Sequence, residues 1–308
     1  MFNHFFLQIS DVDSIEQLFI YFLVVASIIF LLVVFYTFYY LFRYGAKKRP
    51  EVPSQVEGSE RVEFFLALVA TIVTAVFVYL TIVTMEKIQT IPENPKPFLE
   101  ITGHQWWWEA KYPDSGVITA NQIFIPTGKR ILLKLNSADV IHSWWVPELG
   151  RKLDMIPGID NYMWFYAEKE GEYLGSCSEF CGVQHARMRI RVTAIKPEDF
   201  AIWQQKQLQP VAQSSDSLFL KGRKIFETKT CTNCHAINGT EFKENIGPNL
   251  THFASRKRFL ADMKVNNEEN LRAWLTNPQA VKSGVKMPNF ILSESEIDAL
   301  VAYINNLK

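Results

Sequence analysis

Two long stretches of the chain carry no charged residue. Leu18 to Phe42 is an apolar run of 25 residues, and Phe64 to Val83 is a second of 20. A helix rises about 1.5 Å per residue and a bilayer core is about 30 Å thick, so each run predicts a membrane-spanning helix. Buried helices of a soluble domain seldom run so far without a charge. Thr90 to Pro97 holds three prolines and predicts a stiff connector. The pattern then shortens. Leu99 to Ile101, Gln122 to Ile125, Arg130 to Leu135 and Arg189 to Ile195 are strand-like runs separated by Pro, Gly or Asn/Asp/Ser. They predict a compact antiparallel sandwich or barrel of about 100 residues. Gln204 to Ser217 is rich in Gln, Ser and Ala and predicts a flexible linker. Beyond it the period is helical. Ser293 and Glu296 form a capping box, and Ile297, Leu300, Val301, Ile304 and Leu307 make one apolar stripe. The expected units are a helix hairpin over 1–89, a β domain over 90–203, a linker over 204–216 and a helical domain over 217–308. There is no internal repeat.

Charge orients the hairpin. The connector between the apolar runs holds Arg43, Lys47, Lys48, Arg49 and Arg61, whereas Asp11, Asp13 and Glu16 precede the first run. The positive-inside rule puts the connector in the cytoplasm and everything after Met85 on the outer face. The first run is longer than a signal sequence, no basic segment precedes it and no small-x-small site follows it, which predicts an uncleaved anchor. The chain has 32 basic and 32 acidic residues and a formal net charge of zero. That balance argues against a nucleic-acid partner.

The four cysteines fall in two tight pairs, Cys177 with Cys181 and Cys231 with Cys234. Such pairs, each with a histidine just downstream, read as metal or haem attachment rather than a disulfide framework. The segment from Cys177 to Met188 also contains His185, and His142 lies upstream. Soft sulfur with imidazole favours copper. Two thiolates can bridge two copper ions, with one nitrogen each from His142 and His185 and weak axial ligands from Met188 and the backbone carbonyl of Glu179. Met188, Ile190, Val192 and Ala194 share one face of the following strand, which turns Met188 inward. A structural zinc site of two cysteines and two histidines is the competing reading.

These residues resemble subunit II of the cytochrome c oxidase family. Its copper loop, C-x-E-x-C-x3-H-x2-M, matches Cys177 to Met188 without a gap. Its upstream ligand segment matches Asp139-Val140-Ile141-His142-Ser143-Trp144, and its aromatic signature matches Gly103-His104-Gln105-Trp106-Trp107-Trp108. The resemblance spans about residues 15 to 203. It implies a two-helix hairpin followed by a cupredoxin-like β-sandwich, with Trp106 where electrons enter toward copper. It also implies a magnesium ion held partly by the Glu179 side chain against the catalytic subunit. Trp107 and Trp108 read as packing and His104 as structural. Glu63 opens the second apolar run. It reads either as a carboxylate favoured at a helix N-terminus or, by the resemblance, as the mouth of a proton path into the partner.

Cys231-Thr232-Asn233-Cys234-His235 is C-x-x-C-H, the attachment pattern for covalent haem c, with His235 as proximal iron ligand. Half a zinc site or a redox dithiol are the alternatives. Methionine as the second axial ligand raises the potential. Met287, after Gly284-Val285-Lys286 and before Pro288, fits a loop against haem. Met263 lies in a helix-like segment and reads as core, and His252 reads as solvated. Residues 217–308 resemble an all-α class I cytochrome c domain. Gly247-Pro248-Asn249-Leu250, Trp274, Asn277-Pro278 and Met287-Pro288 carry the match.

Neither apolar run contains a histidine, so a centre that reduces oxygen must lie in another subunit. The resemblance names that partner as subunit I of a bacterial haem-copper oxidase, with subunit III beside it. It implies an oxidoreductase of the proton-translocating respiratory kind, fed by a cytochrome c or a membrane reductase. The expected location is the bacterial cytoplasmic membrane, with copper and haem on the periplasmic face. A tether of about 14 residues predicts an effective donor concentration near millimolar. A copper-containing nitric oxide reductase subunit and a zinc-stabilised, non-redox membrane anchor are the alternative functions.

Overall fold

The computed structural model describes residues 11–45 and 58–308. Lys47, Lys48 and Arg49, on which part of the orientation argument rests, lie outside the described residues. Helix α1 runs Asp11–Arg43 and α2 runs Glu60–Gln89. At 33 and 30 residues they are about 50 and 45 Å long, more than enough to cross a bilayer core. Their apolar side chains are exposed on every side, as in Phe30 and Leu66, which suits a lipid solvent and not water. The hydroxyls of Thr37, Thr71, Thr74 and Thr81 each donate to the carbonyl four residues back, at 2.7 to 2.9 Å, so these polar groups are satisfied within the helix. Phe22 meets Phe77 edge to face at 6.0 Å and packs the two helices together. Glu63 sits exposed in the first turn of α2, where a carboxylate complements the helix end.

The β domain contains β1 (Leu99–His104), β2 (Trp107–Tyr112), β3 (Val117–Ala120), β4 (Gln122–Pro126), β5 (Ile131–Ser137), β6 (His142–Trp144), β7 (Leu153–Met155), β8 (Asn161–Phe165), β9 (Gly171–Ser176) and β10 (Arg189–Ile195). One sheet has the order β3-β2-β1-β5-β8, the facing sheet β4-β10-β9, and β6 pairs with β7. The all-antiparallel expectation is corrected: β1 runs parallel to β5 and β4 parallel to β10. Alternation along a strand fixes which face is buried, but not the direction of its neighbour. Trp108 and Trp144 meet edge to face at 5.1 Å between the sheets. Tyr112 Oη on β2 donates to Phe124 O at 2.8 Å and accepts from Phe124 N at 3.0 Å on β4, which pins one sheet to the other. Helix α3 (Pro197–Gln207) closes this end, with Trp203 stacked on Phe124 at 4.7 Å.

The helical domain contains α4 (Ser217–Thr228), the two-residue ladder of β11 (Arg258–Phe259) and β12 (Lys264–Val265), α5 (Glu268–Thr276), α6 (Pro278–Val281) and α7 (Glu294–Ile304). The Asp216 carboxylate caps α4, and Ser293 with Glu296 caps α7 reciprocally. Helices α4 and α7 cross at Gly222, where a Cβ would stand 1.9 Å from the Ala299 carbonyl oxygen. Phe219 and Phe226 pack on Tyr303 at 5.1 and 5.5 Å. Every residue of the apolar stripe from Ile297 to Leu307 is buried.

Three readings differ from what is observed. The stretch expected to be a free linker begins inside α3, and it is tied down further on. Gln204 donates to Ser115 Oγ at 3.0 Å, Val211 is buried in the helical domain, and Pro210 packs under Gly239. Its polar composition concealed these satisfied contacts. His252 is buried, not solvated, with Nε2 3.0 Å from Gln207 O. Met263 lies in a turn and not in a helix, following three residues with positive φ, Leu260, Ala261 and Asp262.

The helical domain is seated on the β domain through polar contacts. Arg191 grips Asp262 with two hydrogen bonds of 2.8 Å, and Lys257 reaches Glu172 at 3.4 Å. Lys282 Nζ donates to Trp106 O at 2.9 Å, and Gln184 Nε2 donates to Ser283 O.

Candidate metal and haem centres

The loop between β9 and β10 folds back on itself because Cys177 N donates to Met188 O at 3.0 Å, and Ser178 N donates to Ser143 O at 3.0 Å beside β6. Cys177 and Cys181 are thereby held with their sulfurs 3.7 Å apart. That gap is far beyond a disulfide bond of about 2.05 Å. Around Cys177 Sγ lie His142 Nδ1 at 3.9 Å and the Glu179 carbonyl at 3.2 Å. Around Cys181 Sγ lie His185 Nδ1 at 3.7 Å and Met188 Sδ at 3.8 Å. His142, Cys177, Cys181 and Met188 are all buried. The six donors expected from the sequence therefore converge, and they do so as two matched sets of three. Metal–sulfur bonds near 2.3 Å and metal–nitrogen bonds near 2.0 Å fit donors spaced this way.

Electrostatics prepare the sulfurs. Sharing a site makes the first thiol proton easy to lose and the second hard, because a thiolate at Cys177 accepts the hydrogen of Cys181 and repels a second charge. His142 and the backbone N–H of Ser143 also favour the Cys177 thiolate. His142 itself is buried, which disfavours its charged form, but Asp139 and Cys177 outweigh that and raise its pKa.

The bonding roles of Asp139, Gln105 and Gly182 escaped sequence reasoning. Asp139 Oδ1 accepts from His142 Nε2 at 2.9 Å and so fixes which ring nitrogen faces the sulfurs. The signal was present, three residues ahead of His142. Gln105 Nε2 and Trp106 Nε1 both donate to Cys181 O, at 2.8 and 2.9 Å. Gly182, with φ of 115°, lets the Trp106 ring approach, since a Cβ there would stand 2.8 Å from it. His104 stacks on Trp107 at 4.1 Å, and Trp108 is core. The Glu179 side chain is exposed.

In the helical domain an apolar cleft is lined by Cys231, His235 and Met287 among leucines and aromatics. His235 Nδ1 donates to Pro248 O at 2.7 Å, which leaves Nε2 directed away from the backbone. Burial lowers the pKa of His235, which favours the neutral ring that an iron ligand needs. Gly247 makes room, because a Cβ there would be 2.6 Å from the imidazole. Facing it, the Met287 loop is clamped by Gln279. The Gln279 amide donates to Val285 O at 2.7 Å and to Met287 O at 3.2 Å, and its Oε1 accepts from Gly284 N at 3.0 Å. Met263 does not line this cleft. The Cys231 thiol, a part-buried imidazole and a thioether around an apolar slot suit a haem.

Two helices of bilayer length, a cupredoxin-like sandwich with a sulfur-rich set of metal donors and a cytochrome c domain define an electron carrier. The profile described as "Cytochrome C oxidase subunit II, periplasmic domain" matches residues 117–195, and that described as "Cytochrome c" matches 219–308. The chain is 34% identical to cytochrome c oxidase subunit 2 of Alkalihalophilus pseudofirmus over 264 residues, 84% of this chain and 76% of that one. It is 32% identical to the same subunit of Bacillus sp. strain PS3, over 87% of this chain and 80% of that one. For Bacillus subtilis the identity is 30%, over 88% and 82%. The chain belongs to the cytochrome c oxidase subunit 2 family, in the form that carries a cytochrome c domain. It is the electron-input subunit of a haem-copper oxidase.

Proposed function

We propose that the chain takes single electrons at a covalently attached haem c and passes them through a two-copper centre to subunit I, which reduces oxygen to water. The observation that carries this reading is the division of donors about the two sulfurs. Cys177 and Cys181 would hold two coppers between them, with His142, His185, Met188 and the Glu179 carbonyl as the remaining donors, and the pair would supply one-electron transfer. A zinc ion would use four of these donors and leave the Met188 sulfur and the Glu179 carbonyl with nothing to bind.

The remaining roles are those the family resemblance implies. Cys231 and Cys234 would attach the haem and His235 and Met287 would ligate its iron, and the apolar lining would keep water out. Trp106, bonded to the backbone of Cys181, stands where electrons reach the copper loop. The exposed Glu179 carboxylate is free to hold magnesium against subunit I, and Glu63 marks the start of a proton path there. Subunit III completes the assembly, and a cytochrome c or membrane reductase supplies electrons. The hairpin sits in the bacterial cytoplasmic membrane, with both redox domains on the periplasmic side.

Metal analysis and spectra of the purified complex test this reading. Two coppers per chain, a near-infrared band in the oxidised state, a sharp reduced haem c band and oxygen uptake are expected. Zinc alone, or no colour change on adding dithionite, would overturn it. Nitric oxide uptake without oxygen uptake would reassign the terminal acceptor.

A further inference from the structure

The haem domain touches the copper site at an unexpected point. Lys286, the residue before Met287, places its Nζ 3.2 Å from Asp139 Oδ2. The same carboxylate accepts from His142 Nε2 at 2.9 Å through Oδ1, from Val140 N at 2.8 Å through Oδ1 and from Gln105 N at 2.7 Å through Oδ2. The chain of contacts runs Lys286 to Asp139 to His142 and ends at a nitrogen 3.9 Å from Cys177 Sγ.

We infer that Lys286 is a positioning residue through which the seated cytochrome domain raises the reduction potential of the copper pair. The inference rests on the copper reading above. A carboxylate bonded to a ligand's N–H pushes electron density onto the ligand and favours the oxidised metal. An ammonium on that carboxylate offsets the push. Asp139 bonds to no other ammonium or guanidinium among the described residues. The neighbouring His104 is held neutral by burial, which lowers its pKa to about 4. Lys286 is largely exposed, so the ion pair adds little to docking affinity. Its effect lies in where the charge sits. Lys286 reaches Asp139 from the seated haem loop, so the cytochrome domain makes the copper pair a better acceptor than the β domain alone would be.

The test uses the full-length chain in its complex and follows the copper potential at its near-infrared band. Lys286→Met is expected to lower that potential, and Lys286→Arg to lose less than half as much. In an Asp139→Asn background Lys286→Met should produce less than half of its native-background shift. An unchanged potential in Lys286→Met, an equal loss in Lys286→Arg, or a shift of half or more without Asp139 each overturns the inference. A second measurement needs no Asp139 variant. The hyperfine coupling of the ligand histidine N–H proton in the oxidised protein should differ between native and Lys286→Met, and identical coupling refutes the inference. A native near-infrared band alongside any of these failures leaves the copper reading intact. Its absence in the native protein refutes that reading first.

Discussion

Lys282 Nζ lies 2.9 Å from the backbone carbonyl oxygen of Trp106, and the lysine is only 2% exposed. A cation from the haem domain is thus buried against the residue that leads to copper. Burial pushes its pKa down to about 8, Arg187 adds repulsion, and Cys181 partly opposes both.

That depression has a sign. The folded state releases the Lys282 proton near pH 8, while the unfolded chain keeps it to about 10.4. Between those values the unfolded state binds more protons, so stability rises with pH. The gap is worth on the order of 3 kcal/mol at most. The melting temperature of the native protein, relative to a Lys282→Met variant, is expected to climb from pH 7 to pH 10. A constant difference would show that the amine's charge is not linked to folding or seating.

Gly222→Ala should destabilise the haem domain even though alanine is the better helix former by about 1 kcal/mol. The new methyl would stand 1.9 Å from the Ala299 carbonyl oxygen, which is backbone and cannot swing away. Forcing α4 from α7 costs about 2 kcal/mol or more. Denaturant unfolding and haem retention measure it; a stabilised variant would show that the helices do not cross here.

Met188→Leu conserves volume, so the fold should lose less than about 1.5 kcal/mol. The near-infrared band should persist while the copper potential shifts. A potential identical to native would remove Met188 from the donor set, despite its 3.8 Å approach to Cys181 Sγ.

Met287→Leu should leave haem attached through Cys231 and Cys234 but free one side of the iron. The reduced variant is then expected to bind carbon monoxide at haem c, seen as a difference spectrum at the haem c band, whereas native haem c does not. No binding in the variant would point to another axial ligand.

The copper donors could be read from the sequence because Cys177 to Met188 is one short loop, whose chemistry is local. The C-x-x-C-H pattern and the α7 capping box were legible for the same reason. The parallel pairing of β1 with β5 was not, since alternation carries no information about a distant partner. Buried and half-buried polar residues misled most. His252 and Gln204 look like surface residues until their partners, Gln207 O and Ser115 Oγ, are seen. Lys282 and Lys286 resembled any exposed lysine, because the surfaces they join lie 176 and 147 residues away.

Pro210 beneath Gly239, Val211 in the haem-domain core and Gln207 O against His252 fasten the connecting strand at successive points. A carrier that commutes must let go between trips, and here Arg191, Lys257, Lys282 and Gln184 also hold the haem domain to the β domain. The haem-bearing domain is a fixed terminal, so any reduced donor has to travel to it. Thickening the medium should slow that outside encounter and leave the internal hop untouched.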